Sequence, residues 1–217
     1  MFNFIFILEI IGVLAFSITG ALDAIESKTD LLGVLILGVT TAVGGGLIRD
    51  IVLGINPPKS FVNPIYVYIA LAASLATFLF LYLNRNVLGN NVSKFFDTML
   101  TTTDAIGLSV FTILGMNVAY ELNYDYRGLV YIFVGLITGV GGGILRDVLS
   151  RKIPYVLERN IYASASIIGA LLYYYFRSHT DIGVYLAMII SMLVIFSIRM
   201  YAASKDLSLP KIKNYEV

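Results

Sequence analysis

The chain has 217 residues, of which 58% are hydrophobic and only 13% are charged, and its mean hydropathy is +0.84. Soluble domains carry about 25% charged residues, so this composition excludes an ordinary soluble domain and predicts a protein that lies in the lipid bilayer. The balance of 15 basic and 14 acidic residues argues against a nucleic-acid partner, which needs clustered lysine and arginine. The absence of cysteine excludes disulfides and thiol chemistry.

Seven apolar segments follow one another along the chain. A helix needs about 20 residues to cross a hydrocarbon core of about 30 Å, and the segments have about this length. Turn and charge signals such as ESKTD and GINPPKSFVNP separate them. We therefore expect an all-α integral membrane protein with seven transmembrane helices. In chain order the expected spans are residues 4–24, 31–53, 64–83, 98–120, 128–149, 161–176 and 182–200.

The connectors between these segments predict an orientation. Most of their lysine and arginine residues fall on the side that a seven-span topology gives to the C-terminus. Short loops rich in lysine and arginine stay in the cytoplasm. We therefore expect a multi-pass protein of the cell membrane with its N-terminus outside and its C-terminus in the cytoplasm.

The chain contains an internal duplication. VGGGLIRD at residues 43–50 matches VGGGILRD at 140–147, and EIIGVLAFSITG at 9–20 matches DAIGLSVFTILG at 104–115. Each copy holds three spans, and an odd number of spans inverts the second copy in the membrane. We expect a first three-helix repeat in residues 1–93, an inverted second repeat in 94–179, and an appended seventh helix with a short tail in 180–217.

Two glycine triplets lie inside the second and fifth spans. Each glycine in a helix interior costs about 1 kcal/mol relative to alanine. One interpretation is close helix packing, which small residues allow in lipid. The other is a kink that exposes backbone groups to a pathway, since such groups are tolerated at membrane depth only inside protein or beside water. Because the triplet recurs in both repeats, we expect a kink with a pathway beside it. The residues are Gly44, Gly45, Gly46, Gly141, Gly142 and Gly143.

Charged residues inside the spans predict two related clusters. Their depths along the helices place one cluster toward each membrane surface. Intramembrane charges are costly and usually face a bundle interior or a watery cavity. Two roles stay open: pairs that fix helix packing, or the lining of two vestibules of a pore. The first cluster comprises Glu9, Arg49 and Asp50, and the second Asp104, Arg146 and Asp147.

Phe16 and Phe111 are candidates for a hydrophobic constriction. On the first and fourth spans they share one helix face with the acid and the paired glycines, which places them near the midplane. Simple packing is the commoner role of such aromatics. The hydroxyls of Thr41 and Thr138, close to the triplets, are further candidates for lining the narrow region.

At the paired GGGxxRD blocks and the DAIG start of the second repeat, the chain resembles the prokaryotic trimeric intracellular cation (TRIC) channels. Their duplicated domain has also been labelled an uncharacterised membrane domain and a glycine transporter. The resemblance implies a homotrimer with one pore per protomer around the second and fifth helices, passing monovalent cations and chiefly potassium. The partners it implies are the bilayer, further copies of the chain and permeating K⁺ or Na⁺, with no cofactor and no bound metal.

A secondary transporter of a small solute such as glycine is the alternative. Inverted repeats with glycine-interrupted helices suit it equally well, and helix amides could hold a carboxylate. An enzyme is not expected, because the chain has no HExxH or GxSxG motif and its single histidine, His179, lies in a polar connector.

Overall fold

The computed structural model describes residues 4–84, 92–122, 127–158, 161–205 and 207. Within these residues the chain forms nine α-helices, of which six are long and apolar enough to cross a membrane: α1, α2, α4, α5, α6 and α9. The protein is therefore an all-helical, multi-pass membrane protein. The helices are α1 (Phe4–Glu26), α2 (Leu31–Val52), α3 (Lys59–Val62), α4 (Ile65–Asn84), α5 (Val92–Glu121), α6 (Gly128–Leu149), α7 (Tyr155–Glu158), α8 (Ala163–His179) and α9 (Val184–Ser204).

The observed helices follow the expected spans closely, with two differences. The sixth expected span corresponds to α8, whose 17 residues make it shorter than the other six. The connectors that follow α2 and α6 each contain a four-residue helix, α3 and α7, which the sequence did not predict.

The helix ends show why the sequence begins and stops these elements where it does. Asp30 caps α2, since its side chain accepts a hydrogen bond of 2.8 Å from the Gly33 N–H. After α2, Gly54 adopts a left-handed φ of +70°, and the Ile55 N–H bonds back to the carbonyl of Asp50 at 2.8 Å. The left-handed Gly54 and this bond are the features of a Schellman motif, which satisfies carbonyl groups that the helix end leaves without a partner.

The same motif ends α6, where Arg151 stands in the place of the glycine. Arg151 has a φ of +57°, and the Lys152 N–H bonds to the Asp147 carbonyl at 2.8 Å. A side chain in this conformation costs roughly 1 kcal/mol that glycine avoids. The two related connectors therefore share a backbone path although only one of them has the favoured residue.

The helices form two similar three-helix units. Helices α1, α2 and α4 pack together in the first unit, and α5, α6 and α8 in the second. The units meet where α1 packs on α5 and α2 packs on α6, while α9 lies against α5 and α8. The core therefore has two central helix crossings, with the remaining helices arranged around them.

The glycine triplets lie at the crossing of α2 and α6. A Cβ added at Gly45 would overlap the carbonyl oxygen of Thr138, and one added at Gly142 would overlap that of Thr41. Both helices run through their triplets without interruption, and the kink expected there stays a prediction. Lipid cannot satisfy freed backbone groups, and close packing offsets the low helix propensity of glycine.

Helices α2 and α6 run in opposite directions. A Cβ at Gly44 would lie 2.6 Å from the side chain of Leu145, and one at Gly141 would lie 3.0 Å from Ile48. Moving forward along α2 thus means moving backward along α6, so these helices are antiparallel. The charged ends of α2 and α6 consequently lie at opposite ends of the bundle.

Candidate functional site

The Arg-Asp pair at the end of α2 ties that helix to the following connector. Asp50 is buried, and its Oδ1 accepts a hydrogen bond from Nε of Arg49 at 2.8 Å. Its second oxygen accepts a 2.8 Å bond from the backbone N–H of Lys59, the first residue of α3. One carboxylate therefore holds an intramembrane arginine and fixes the connector that folds back over it.

The second unit repeats this arrangement at the end of α6. Nε of Arg146 donates to Oδ1 of Asp147 at 2.8 Å, and the other oxygen of Asp147 accepts a 2.8 Å bond from the N–H of Tyr155 at the start of α7. The paired RD motifs thus have the same local role in both halves, which explains why each is followed by a short helix.

A tyrosine completes each cluster, and the sequence did not predict either one. In the first unit the hydroxyl of Tyr66 donates to Glu9. In the second the hydroxyl of Tyr162 donates to Asp104 at 3.2 Å. Both tyrosines follow an asparagine and an isoleucine, but the repeats differ in length at this point. The first reads NPIY after residue 62, whereas the second reads NIY after residue 159.

The first cluster borders a cavity of about 560 Å³ at the end of the bundle where α2 stops. Glu9, Arg49 and Tyr66 form its charged and polar wall, Phe111 lies at its inner end, and Gly46 lines it on the α2 side. Glu9 is half-buried and Arg49 is 8% exposed. The further lining residues are Val13, Ala42, Val43, Ile55, Asn56, Pro57, Lys59, Ser60, Val62 and Asn63.

Within the described chain, the expected first cluster is only partly paired. Arg49 contacts Asp50 at 2.7 Å, whereas Glu9 bonds to Tyr66 and forms no ion pair with Arg49. The two opposite charges therefore face the same cavity without neutralising each other. A small polar or charged species that enters the cavity would meet both.

The second cluster is closed. Arg146 bridges two acids, contacting Asp104 at 3.1 Å and Asp147 at 2.8 Å, and its side chain and that of Asp104 are fully buried. Tyr155 covers the guanidinium, with its ring centre 5.0 Å from the Arg146 Cζ. This half therefore matches the expected grouping of Asp104, Arg146 and Asp147, and it is packed inside protein where the first half is open.

The two expected constriction aromatics stack on each other between α1 and α5. The ring centres of Phe16 and Phe111 are 5.4 Å apart. The Phe16 ring occupies the space that a Cβ at Gly107 would need, and the Phe111 ring lies 3.0 Å from a Cβ placed at Gly12. Phe16 is enclosed at 1% exposure, while Phe111 reaches the cavity and forms part of its inner end.

Thr41 and Thr138 are buried in equivalent places beside the α2–α6 crossing. Each hydroxyl donates to a carbonyl four residues earlier, on Leu37 and Val134, at 2.6 Å. Each also occupies the space beside a glycine of the neighbouring helix, as the overlap calculated for a Cβ at Gly115 on Thr138 shows. In this conformation their hydroxyls take part in packing.

One further polar contact ties the closed end together. Lys152, in the connector after α6, contacts the buried Asp23 and the exposed Glu26 at 2.8 Å each. Burial alone would lower the pKa of Lys152, but the hydrogen bonds to these two carboxylates outweigh it and raise the pKa above its usual value. The equivalent position in the first repeat is Ile55, whose apolar side chain cannot form an ion pair.

Comparison with known proteins agrees with the duplicated architecture. The family model described as "Glycine transporter" matches residues 6–82 and again 101–178. The UPF0126 inner membrane protein YadS of Escherichia coli (strain K12) is 38% identical over 207 residues, covering 94% of this chain and 93% of the relative. A UPF0126 membrane protein of Deinococcus radiodurans is 39% identical over 165 residues, covering 75% and 72%.

Solved structures show the same fold. One, determined to explain conductance through TRIC cation channels, has a TM-score of 0.82 at 37% identity and covers 97% of this chain and 98% of its own. The TRIC channel orthologue from Rhodobacter sphaeroides has a TM-score of 0.82 at 31% identity and covers 94% and 98%.

The fold and the paired sites define a membrane protein built from a duplicated three-helix domain. The chain belongs to the family of prokaryotic TRIC channels and UPF0126 membrane proteins, whose shared domain carries the description glycine transporter. This confirms the family indicated by the paired GGGxxRD blocks. The relatives named here are channels and membrane proteins, and the chain, as a member of their family, is not an enzyme.

Proposed function

We propose that the chain is a monovalent cation channel that passes chiefly potassium and works as a homotrimer with one pore in each protomer. The observation that carries this proposal is the cavity of the first unit, whose lining includes Gly46 of the first glycine triplet. Family membership supports it, since the relatives of known structure are described as TRIC cation channels.

The proposed path runs along the α2–α6 crossing. It enters through the cavity beside Glu9 and Arg49, passes Phe111 and Gly46, and leaves past the cluster around Arg146. In the present conformation Phe111 and the buried cluster close it. Three adjacent glycines weaken a helix locally, so bending of α2 and α6 at the triplets is our proposal for how the path opens.

Selectivity in this proposal comes mainly from backbone carbonyls and hydroxyls. The cavity wall carries one acid, Glu9, against two basic residues, Arg49 and Lys59, so it has no ring of carboxylates that would strongly favour cations. The carbonyls of Thr41 and Thr138 lie at the helix crossing and would face ions once the helices separate. We therefore expect a modest preference among monovalent cations.

The proposed topology has seven spans, with the N-terminus outside and the C-terminus in the cytoplasm. At about 1.5 Å per residue, the 17 residues of α8 extend about 26 Å, slightly less than a hydrocarbon core of about 30 Å. Local thinning of the bilayer accommodates such a mismatch at modest cost. The antiparallel crossing of α2 and α6 supports inverted repeats in residues 1–93 and 94–179.

Recording from the purified protein in a planar bilayer with a potassium chloride gradient tests the channel proposal. We expect discrete current steps whose reversal potential lies between zero and the equilibrium potential of potassium. Steps that reverse at the chloride equilibrium potential would show an anion channel instead. The absence of current steps with folded, reconstituted protein would contradict a channel of either kind.

A transporter of a small zwitterion such as glycine is the second candidate. The specific observation in its favour is that Glu9 and Arg49, with opposite charges, face an open cavity, whereas their counterparts Asp104 and Arg146 are fully buried. Alternating access needs such one-sided states. Counterflow of labelled glycine into proteoliposomes, saturating with concentration and unaccompanied by current steps, would favour this candidate over the channel.

A further inference from the structure

Helix α9 is the one long described helix without a counterpart in the other unit. It lies outside both segments that the family model matches. Arg199 is its single charged residue, and only 3% of that residue is exposed. A buried intramembrane charge is costly and is retained where it has a partner or a function.

The partner of Arg199 is the ring of Tyr162. The Arg199 Cζ lies 4.9 Å from the ring centre, within the range of a cation–π contact. Its Nε forms no hydrogen bond with the described residues. Among the described residues, the aromatic face of Tyr162 is therefore a group that compensates for burying this guanidinium, and the contact limits where the ring can lie.

Tyr162 connects Arg199 to the closed cluster. Its hydroxyl donates to Asp104, which pairs with Arg146. In this enclosed space Asp104 Oδ2 and Arg146 NH2 have no hydrogen-bond partner among the described residues, so the Tyr162 hydroxyl is one of the few groups that hold the Asp104 carboxylate. With Arg199 and Asp147 the four charges also balance, and removing Arg199 leaves a buried excess of negative charge that favours entry of water.

The first unit serves as an internal comparison. There Tyr66 bonds to Glu9 in the same way, but its ring centre lies 6.3 Å from that of Phe6, and no arginine among the described residues lies over it. That unit has the open cavity. The presence of an arginine over the tyrosine thus goes together with closure, and its absence with opening.

We propose that Arg199 is a positioning residue that holds Tyr162 on Asp104, so that α9 keeps the second vestibule closed. This inference rests on the proposed pathway, because it assigns the closed cluster to one end of that pathway. Release of Arg199 from the Tyr162 ring is the step that frees the Asp104–Arg146 pair and admits water from the α7 end. Helix α9 is then the regulatory element of an otherwise duplicated protein.

Two equivalent valines supply a matched pair of reporters. Val43 lines the open cavity and Val140 occupies the same place in the closed unit, with 8% and 5% exposure. The chain has no native cysteine, so Val43→Cys and Val140→Cys each introduce a single thiol. Labelling by a small, membrane-impermeant methanethiosulfonate reagent should be fast for Val43→Cys and slow for Val140→Cys in the otherwise unchanged protein.

Arg199→Met removes the cation while keeping a long side chain. We expect it to accelerate labelling of Val140→Cys by about tenfold or more, as a minor open state becomes a major one, and to leave Val43→Cys unchanged. Tyr162→Phe keeps the ring but loses the hydroxyl, and should have the same effect with Arg199 intact. Arg199→Lys restores a cation over the ring and should return labelling most of the way toward the slow rate.

Arg177→Met is the control for loss of a stacked arginine. Arg177 lies 4.9 Å over the ring of Tyr120, away from the closed cluster, so its loss should leave Val140→Cys slow. Unchanged labelling of Val140→Cys in folded Arg199→Met and Tyr162→Phe proteins would overturn the proposal. Equal acceleration in Arg177→Met would also overturn it, since the effect would then be general loosening. Thiol labelling does not depend on ion current. It therefore tests the role of Arg199 separately from the proposal that the protein is a channel.

Discussion

Gly45 and Gly142 occupy equivalent places at one helix crossing, and each faces the backbone of the other's helix. A side chain at either position would overlap a carbonyl oxygen, of Thr138 for Gly45 and of Thr41 for Gly142. The crossing therefore depends on the absence of a Cβ from both helices. It joins the two units next to Gly46, which lines the open cavity.

Gly45→Ala and Gly142→Ala should each destabilise the protein by about 1–3 kcal/mol, because the new methyl group forces α2 and α6 apart. Gly46→Ala is the matched control within the same triplet. A Cβ there has its nearest neighbour, Arg49 NH2, at 3.7 Å, so the higher helix propensity of alanine should leave stability unchanged or raise it by up to about 1 kcal/mol. Thermal unfolding in detergent measures all three, and equal destabilisation by Gly46→Ala would contradict a specific crossing.

Arg146 and Asp104 should be strongly coupled. Removing one partner of a buried ion pair leaves an uncompensated charge, at a cost of about 3–5 kcal/mol, so Arg146→Met and Asp104→Asn should each be severe and the double variant less severe than their sum. Asp147 still bonds Arg146, which limits the rescue. The same pair of single variants and their double variant at Arg49 and Glu9, which form no ion pair among the described residues, should have additive effects. Additive effects at Arg146 and Asp104 as well would argue against the closed cluster.

Arg151→Gly should stabilise the protein by about 1 kcal/mol. Arg151 holds a φ of +57° in the place where Gly54 holds +70° in the first repeat, and glycine adopts this conformation without the steric cost. Gly54→Ala is the reciprocal change, and it has open space around the new Cβ, so its expected loss of about 1 kcal/mol comes from backbone strain alone. Opposite shifts of the melting temperature are predicted, and shifts of the same sign would contradict the shared motif.

Phe111→Ala tests whether the aromatic stack closes the pathway. Phe111 lies at the inner end of the cavity and Phe16 is enclosed behind it. We expect Phe111→Ala to raise potassium flux by shortening the narrow region, despite a stability loss of about 3–5 kcal/mol from the lost packing. Phe16→Ala should cost similar stability with less effect on flux. Potassium release from proteoliposomes measures this difference. An equal fall of potassium flux in both variants would contradict a gating role and indicate that the two rings only pack against each other.

Much of this architecture could be predicted from the sequence. The paired GGGxxRD blocks identified the two related helices and both Arg-Asp pairs, and similar depth along the helices predicted that Asp104 and Arg146 meet. The kink at the glycine triplets stays a prediction, because the same small residues permit a bend or a close approach and only the neighbouring backbone decides between them.

The difference between the two units could not be predicted from the repeat itself. Both halves carry an acid, an arginine and an aspartate at matching positions, with Glu9 in the first and Asp104 in the second, so the local pattern predicts two similar clusters. The differences come from outside the matched motifs, in Arg199 on the unmatched α9 and in Lys152, which replaces the apolar Ile55. The tyrosines that complete the clusters were hidden by a one-residue gap between the repeats.

The most direct test of the central claim is current through Val43→Cys protein while a bulky cationic thiol reagent is added to one side of the bilayer. Val43 lines the cavity that we place on the pathway of each protomer. The account predicts irreversible, stepwise loss of current when the reagent reaches the side onto which the cavity opens, and little change from the other side. Current that persists after complete labelling of Val43→Cys would show that ions do not pass through this cavity.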